Sequence, residues 1–333
     1  MSTNKENKVI ISLLTWNGVH YLPWLINSLK AQTFKDWTLL VLDNASTDDS
    51  VKAVEDALPG TRIVRQKQNI GFARGHNLIM NWTESDYVFV LNQDIILDKD
   101  YIQSLVDFMD KNPMCASVSG KLMYWDFSEG HKTEIIDSAG LKIDRKRFVY
   151  DYLQGQADRP LENTEVFGLS ATAVIYRRKA LESVAQTKEE NYFEFFDEDF
   201  FAYKEDVDLA WRLRLAGWQN WLITNTKAYH HRSVSGGSNI RFMFKHRTLA
   251  NRLSYRNHLM TLYKNSFFKN IWQDFWPISW YEFRKFIYLL IFERQTLGGL
   301  SEFFRSLPKL KKKHKFIMSH TELKPADMRK WFR

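Results

Sequence analysis

The chain has 333 residues, a net charge of +8 and one cysteine, Cys115. A single cysteine excludes a disulfide framework and any cysteine-based metal cluster, which fits a reducing compartment. The charge is uneven: residues 241–333 carry a net +14 and the remainder −6, so the basic end calls for a negatively charged partner, membrane surface or nucleic acid. The hydrophobic fraction of 44% is ordinary for a globular protein, and the length allows an α/β core plus a further segment. The opening MSTNKENKVI has no apolar core of signal-peptide length, and the run 286–292 is too short to span a bilayer.

The first strand is predicted over KVIISLLTW, residues 8–16. A helix follows over 19–31, with Leu22, Leu25, Ile26 and Leu29 at helical spacing. A second strand, TLLVLD, ends at Asp43, and Ser46-Thr47-Asp48-Asp49 caps a helix reaching Leu58. Residues 62–64 are a short third strand and 73–82 a helix. The fourth strand, Tyr87 to Leu91, is wholly apolar and stops at Asn92-Gln93-Asp94; Asp98 then caps a helix to Lys111. This alternation argues for a Rossmann-like, doubly wound, mostly parallel sheet, whose ligands bind at the carboxyl ends of its strands. No GxGxxG follows the first strand, so a dinucleotide phosphate cradle is excluded. Successive strand ends instead finish in small polar groups: Thr15 and Asn17; Asp43, Asn44 and Ser46; Asn69 and Gly71; Asn92 and Asp94. One such end is ordinary turn chemistry, whereas four in succession line a polar crevice suited to a nucleotide. Asp94 is a hard oxygen ligand placed to hold a divalent cation against a diphosphate.

VLDNASTDDS, NIGFARGHN, LNQD and the later FFAYKEDVDLAWRLRLAGW together resemble the inverting family 2 glycosyltransferases of GT-A fold, closest to the rhamnosyltransferase-like branch. The resemblance runs over about residues 8–265. It implies a nucleotide-sugar donor (dTDP-rhamnose first, UDP-sugars next), Mg²⁺ or Mn²⁺, and an acceptor hydroxyl on a glycan or lipid-linked molecule. It makes Asp43 the reader of the nucleotide base, with Thr15 and Asn17 beside it. Asn44, Ser46, Asn69, Gly71, Asn77, Asn92, Gln93 and Arg212 are carried over as nucleotide-sugar contacts. Asp94 becomes the carboxylate of the DxD metal motif, whose first aspartate is here Asn92.

Residues 129–165 are polar and read as short strands and loops over the site. The run VFGLSATAVIYRRKAL, 166–181, resembles the acceptor-side strand, with Gly168, Ser170 and Thr172 allowing a sugar to approach. Residues 189–208 interleave nine acids with aromatics, among them Phe193, Phe195, Phe196, Phe200, Phe201 and Tyr203, which draws the acids toward a pocket. A helix over 204–217 pairs Asp208 with Arg212 at i,i+4 and sends Asp206 to a different face. The resemblance makes Asp206 the general base, with Glu205 orienting it or contacting the acceptor. A last strand, 221–229, leads into His230-His231-Arg232 and the loop Ser233-Val234-Ser235-Gly236-Gly237. The family pattern assigns a metal or diphosphate contact to His230 or His231 without separating them, and Arg232 and the glycines suit phosphate.

Domains are drawn at 1–240 (nucleotide-sugar binding and catalysis) and 241–333 (basic, aromatic and helical). Tyr255-Arg256-Asn257 is similar to a YRN of the family. Pro277 separates two helical pieces, and Trp280, Phe283, Ile287 and Leu290 share one face of the second. With Arg284, Lys285 and Lys311-Lys312-Lys313-His314-Lys315 this is the pattern of an interfacial helix, placing the protein on the inner face of the cell membrane without crossing it. A helical subdomain packed on the body is the structural alternative. Two functional rivals are a nucleic-acid binder using the basic end, which the helical packing of its aromatics argues against, and an inactive scaffold, suggested by Asn92.

Overall fold

A computed structural model describes residues 7–127, 130–189, 191–232 and 240–333, with backbone only over 240–247. The first half alternates as expected. β1 (Val9–Thr15), α1 (Leu22–Lys30), β2 (Trp37–Asp43), α2 (Ser50–Ala57), β3 (Arg62–Arg65) and α3 (Phe72–Asn81) lead to β4 (Tyr87–Leu91). Then come β5 (Ile95–Leu97), α4 (Tyr101–Lys111) and β6 (Cys115–Asp126). The less regular middle holds β7 (His131–Ser138), the hairpin β8 (Leu141–Ile143) and β9 (Val149–Asp151), and β10 (Thr164–Val166). β11 (Ala173–Arg177), α5 (Arg178–Val184) and the pair β12 (Gln186–Glu189) and β13 (Tyr192–Glu194) precede α6 (Glu205–Leu215) and β14 (Gln219–His230). The last residues form α7 (Ile240–Asn265), α8 (Phe268–Gln273), α9 (Phe275–Phe292), α10 (Gly298–Ser319) and α11 (Pro325–Arg329).

The sheet order is β10-β14-β6-β11-β4-β1-β2-β3, with β5 on β14 and β7 on β6. The β4-β1-β2-β3 part is parallel, and β11 runs antiparallel between β4 and β6. Side-chain alternation buries both faces of the central strands. Tyr87, Phe89 and Leu91 of β4 join the core on one side, Val88 and Val90 the core on the other. β6 is not evident in the sequence pattern, because Ser117, Ser119 and Gly120 dilute its apolar signal. Neither α2 nor α4 is closed by an N-cap side chain. Asp98 instead accepts from the Lys227 amide at 3.1 Å. The helix break near Pro277 falls at Asp274, and the proline sits in the first turn of α9, where no intrahelical donor is needed.

The C-terminal helices are fastened to the body by buried charge. Lys264 of α7 pairs with Asp197 and, at 2.9 Å, with Asp208. Lys313 of α10 reaches Glu194 at 3.2 Å and Asp199 at 2.9 Å, and also pairs with Asp197. Lys313 is therefore not a surface charge, in contrast to its exposed neighbours Lys311 and Lys312. Burial alone would raise the Asp197 pKa, but Lys264 and Lys313 hold it well below the usual carboxylate range. Because the folded value is depressed, this stabilisation is present at neutral pH and lost as pH falls through the acid range. Lys313→Met should cost about 3–5 kcal/mol in urea unfolding at pH 7, since it removes the cation that Glu194, Asp197 and Asp199 share and leaves these crowded acids undercompensated. The deficit should narrow in acid. A loss under about 1 kcal/mol, the size of a surface pair, would contradict the buried cluster as a fastening.

Candidate active site at the sheet edge

Parallel register sets Thr15 beside Asp43 at the ends of β1 and β2. The loops beyond interlock through their side chains. Asn17 Oδ1 accepts from the Thr47 amide at 2.8 Å, and Ser46 Oγ accepts from the Asn17 amide at 3.0 Å. The Asp43 carboxylate accepts from the Ser46 amide at 3.3 Å. Asn44 Oδ1 takes the Ile70 amide at 2.8 Å, and Asn69 Oδ1 takes the Gly71 amide at 2.9 Å. Gln93 Oε1 accepts from Thr15 Oγ1 and the Trp16 amide, both at 2.9 Å. These groups shape one wall of the crevice largely by bonding one another.

Next to that wall lies a cavity of about 500 Å³ lined by Asn92, Asp94, Ser170, Thr172, Glu205, Asp206 and His230, among others. Thr15, Asn17, Asp43, Asn44, Ser46, Asn69, Gly71 and Gln93 do not line it. The Asn92 amide donates to the Thr172 carbonyl at 2.9 Å, which joins the β4 end to the turn before β11. Antiparallel pairing of β5 with β14 sets Ile95 opposite His230. It brings His230 Nε2 to 3.6 Å from Asp94, while Nδ1 lies 2.8 Å from Asp137. Burial would lower the His230 pKa, but Asp94 and Asp137 raise it to about 9. A carboxylate behind a ligand imidazole orients its other nitrogen. Asp94 and His230 would hold a divalent cation once His230 gives up its Nε2 proton, and such a cation would neutralise diphosphate charge there. Among the described residues there is no cluster of three or more such ligands.

Glu205 and Asp206 open α6 just after a strained turn. Phe201, Tyr203 and Lys204 have φ of 64°, 72° and 70°, a region costly for residues with a side chain. The turn is gripped from two sides. The Phe201 carbonyl accepts from the Phe72 and Ala73 amides at 2.7 and 3.3 Å. Asn257 Nδ2 of α7 lies 2.7–3.0 Å from the carbonyls of Phe200, Ala202 and Tyr203. Arg256 adds bonds to the Asp199 and Phe200 carbonyls at 2.8 and 3.1 Å. Burial and the neighbouring Asp206 raise the Glu205 pKa to about 8, and Glu205 Oε2 has no partner among the described residues. Burial also raises the Asp206 pKa, with Lys204 opposing. Asp206 keeps access to the cavity while Glu205 is 7% exposed. Two adjacent carboxyl groups cannot both ionise easily, so Glu205 holds a proton and leaves Asp206 as the anion.

Several expected contacts lie elsewhere. Asn77 is buried and bonds the Phe196 carbonyl and amide at 2.8 and 2.9 Å. Arg212 is spent on Asp208 at 3.0 Å and on the Val184 and Phe195 carbonyls. A Cβ on Gly168 would meet Ala210 at 2.5 Å, so the close approach it permits is that of α6 and not of a sugar. Gly71, with φ of 85°, makes room for the Phe201 carbonyl, 2.5 Å from where its Cβ would stand. His231 faces away, ringed by Tyr21, Trp125 and Phe127. Residues 233–237 of the following loop lie outside the described residues. Sequence reasoning missed Asp137 and Asp151, which pair with Arg232 at 2.5 and 2.8 Å. It also missed Tyr150, which lines the cavity.

Comparison with known proteins bears on the family and the fold. The family described as Glycosyl transferase family 2 matches residues 10–185. An N-acetylglucosaminyl-diphospho-decaprenol L-rhamnosyltransferase of Mycobacterium tuberculosis is 24% identical over 67% of this chain and 76% of its own. The structure of S. aureus TarS 1-349 superposes with a TM-score of 0.55 at 16% identity, covering 94% of this chain and 87% of that one. The crystal structure of GalNAc-T7 with UDP, GalNAc and Mn²⁺ gives a TM-score of 0.57 at 9% identity, over 78% of this chain and 48% of that one. At these identities the two structures speak to the fold, a GT-A sheet.

The Glu205 pKa carries a stability prediction. Its folded value is raised from 4.5 to about 8, so its contribution is complete below the unfolded value and lost as pH rises through about 8. Wild-type melting temperature should fall between pH 6 and pH 9 by at least about 2 °C more than that of Glu205→Gln. Parallel curves for the two proteins would refute the buried, protonated Glu205.

Proposed function

The chain belongs to glycosyl transferase family 2, and from that premise we propose that it moves a sugar from a nucleoside-diphosphate donor to an acceptor hydroxyl with inversion. Our leading donor is dTDP-rhamnose, with UDP-sugars next, and the acceptor is a cell-envelope glycan or a lipid-linked one. The observation that carries the reading is the meeting, in one cavity, of Asn92 and Asp94, Ser170 and Thr172, Glu205 and Asp206, and His230. The nucleotide lies along the wall of Thr15, Asn17 and Asp43, with Asp43 toward the base. Asp206 takes the proton of the acceptor hydroxyl. The acceptor oxygen bonds to the anomeric carbon from the face opposite the diphosphate, and the bond to the diphosphate oxygen breaks. Glu205, protonated at neutral pH and with its unpartnered Oε2 buried, leaves the role of base to Asp206. Asp94 and His230 would hold Mg²⁺ or Mn²⁺, which when bound neutralises charge on the leaving diphosphate.

Residues 1–240 form the catalytic part of this proposal, and 241–333 hold it at a membrane. No helix among the described residues is long and apolar enough to cross a bilayer. α9 nevertheless buries fully only Ile278 and Leu289. Trp276, Trp280, Ile291 and Phe292 are 60–79% exposed, and Phe283 and Leu290 are also open. A patch of this kind, on a helical region that also exposes Arg284, Lys311, Lys312 and Lys315, suits an anionic membrane surface on the cytoplasmic side, and no nucleic acid is expected as partner.

Asp206→Asn should leave donor affinity near wild type and lower turnover by about 10²–10⁴-fold. Near-normal turnover would remove Asp206 as the base. Vesicle co-sedimentation should require anionic lipid and weaken with salt. It should fall at least about tenfold when Lys311, Lys312 and Lys315 are changed to Glu. Retention in the supernatant with anionic vesicles at low salt would leave α7 to α11 as a packing subdomain only.

A further inference from the structure

The β8–β9 hairpin has two unlike faces. Register pairs Leu141 with Asp151, Lys142 with Tyr150 and Ile143 with Val149. Alternation turns Leu141, Ile143 and Val149 inward, where all three are buried. The other face presents Lys142, Phe148, Tyr150 and Tyr152. Phe148 and Tyr150 are each 40% exposed, and their rings lie parallel within 15° at 6.0 Å. Lys142 Nζ stands 3.3 Å from the centre of the Tyr152 ring. Tyr150 and Leu141 line the 500 Å³ reaction cavity, and both also line a second, larger cavity of about 780 Å³. Tyr152, Lys142, Leu161, Trp331 and Lys330 contribute to that second cavity. The two spaces therefore meet across a ridge made by Tyr150.

We propose that this second cavity is a subsite for the acceptor saccharide beyond its reacting sugar, with Tyr150 as the stacking platform and Tyr152, whose ring face Lys142 covers, holding that ammonium toward the sugar hydroxyls. The subsite rests on the glycosyl-transfer reading of the neighbouring cavity. Its size falls within that of small-ligand sites, which combine apolar walls with a few polar groups. Pyranose rings offer C–H faces to aromatic rings and hydroxyls to polar neighbours. Tyrosine and tryptophan supply that combination of apolar body and polar tip. Lys142, Glu162, Thr164 and Lys330 stand around the rings as partners for hydroxyls. An alkyl chain would leave these groups without partners. The same hairpin thus faces Asp151 and one edge of Tyr150 to the reaction and Lys142 and Tyr152 to the remainder of the acceptor.

The test uses the full chain with UDP present and two sets of probes. These are mono-, di- and trisaccharides of N-acetylglucosamine and of rhamnose, with affinity read by saturation-transfer NMR. In at least one set the trisaccharide should bind about tenfold tighter than the monosaccharide. Tyr152→Ala should erase that gain without changing monosaccharide affinity, and Tyr152→Phe should retain it. Stabilisation by dTDP- or UDP-sugars should be the same in all three proteins, which shows that the variants fold. Absence of binding in both sets, no dependence on length, or a gain untouched by Tyr152→Ala would each overturn the subsite. So would competition by an alkyl chain alone, such as dodecylphosphocholine. Failure of every nucleotide sugar to stabilise the wild type is a separate result, and it would count against the glycosyl-transfer reading itself.

Discussion

The proposed reaction centre depends on a strained turn being held from outside the sheet. Residues with positive φ cost about 1–3 kcal/mol each, and Phe201, Tyr203 and Lys204 are three within four positions. A neutral hydrogen bond returns only about 1 kcal/mol net, so the bonds from Asn257 alone do not offset the strain. α7 must itself be immovable. Lys264, near its C-terminal end, sits among Asp197 and Asp208, and Lys313 braces Asp197 as well from α10. The basic end of the chain is thereby part of the machinery that aims Glu205 and Asp206.

A second constraint is register. His230 meets Asp94 because β5 folds back on β14 with Ile95 opposite His230. A slip of one residue would exchange the faces of His230 and His231, sending the wrong imidazole toward Asp94. Asp137 fixes the outcome from β7, which pairs with β6 rather than with β14. The two ends of the proposed site, the Asp94–His230 pair and the Glu205–Asp206 pair, are in this way positioned by different elements and meet at the turn 170–172.

Much of this was legible because it obeys local rules. The change from apolar run to polar end at Thr15, Asp43 and Asn92 is visible in the sequence, and so is the helical separation of Asp206 from Asp208. The structure spends Asp208 on Lys264 and Arg212 and leaves Asp206 at the cavity. What stayed hidden depends on distant pairing. Nothing near Asp137 or Asp151 announces an arginine partner, and β6 hides behind its own serines. Gly71 and Gly168 did signal close approach, but only tertiary packing shows that a carbonyl and a helix, rather than a ligand, come near. The signal that points to Tyr150 is its alternation with Phe148 and Tyr152, which has meaning only once the hairpin is recognised.

One-step displacement at the anomeric carbon, with Asp206 on the acceptor side and no protein nucleophile, has a single stereochemical outcome. The most direct measurement is NMR of the anomeric configuration of the product formed from a nucleotide sugar of known configuration. The product should be inverted relative to the donor. A retained configuration would contradict in-line displacement from the opposite face and, with it, Asp206 as the general base.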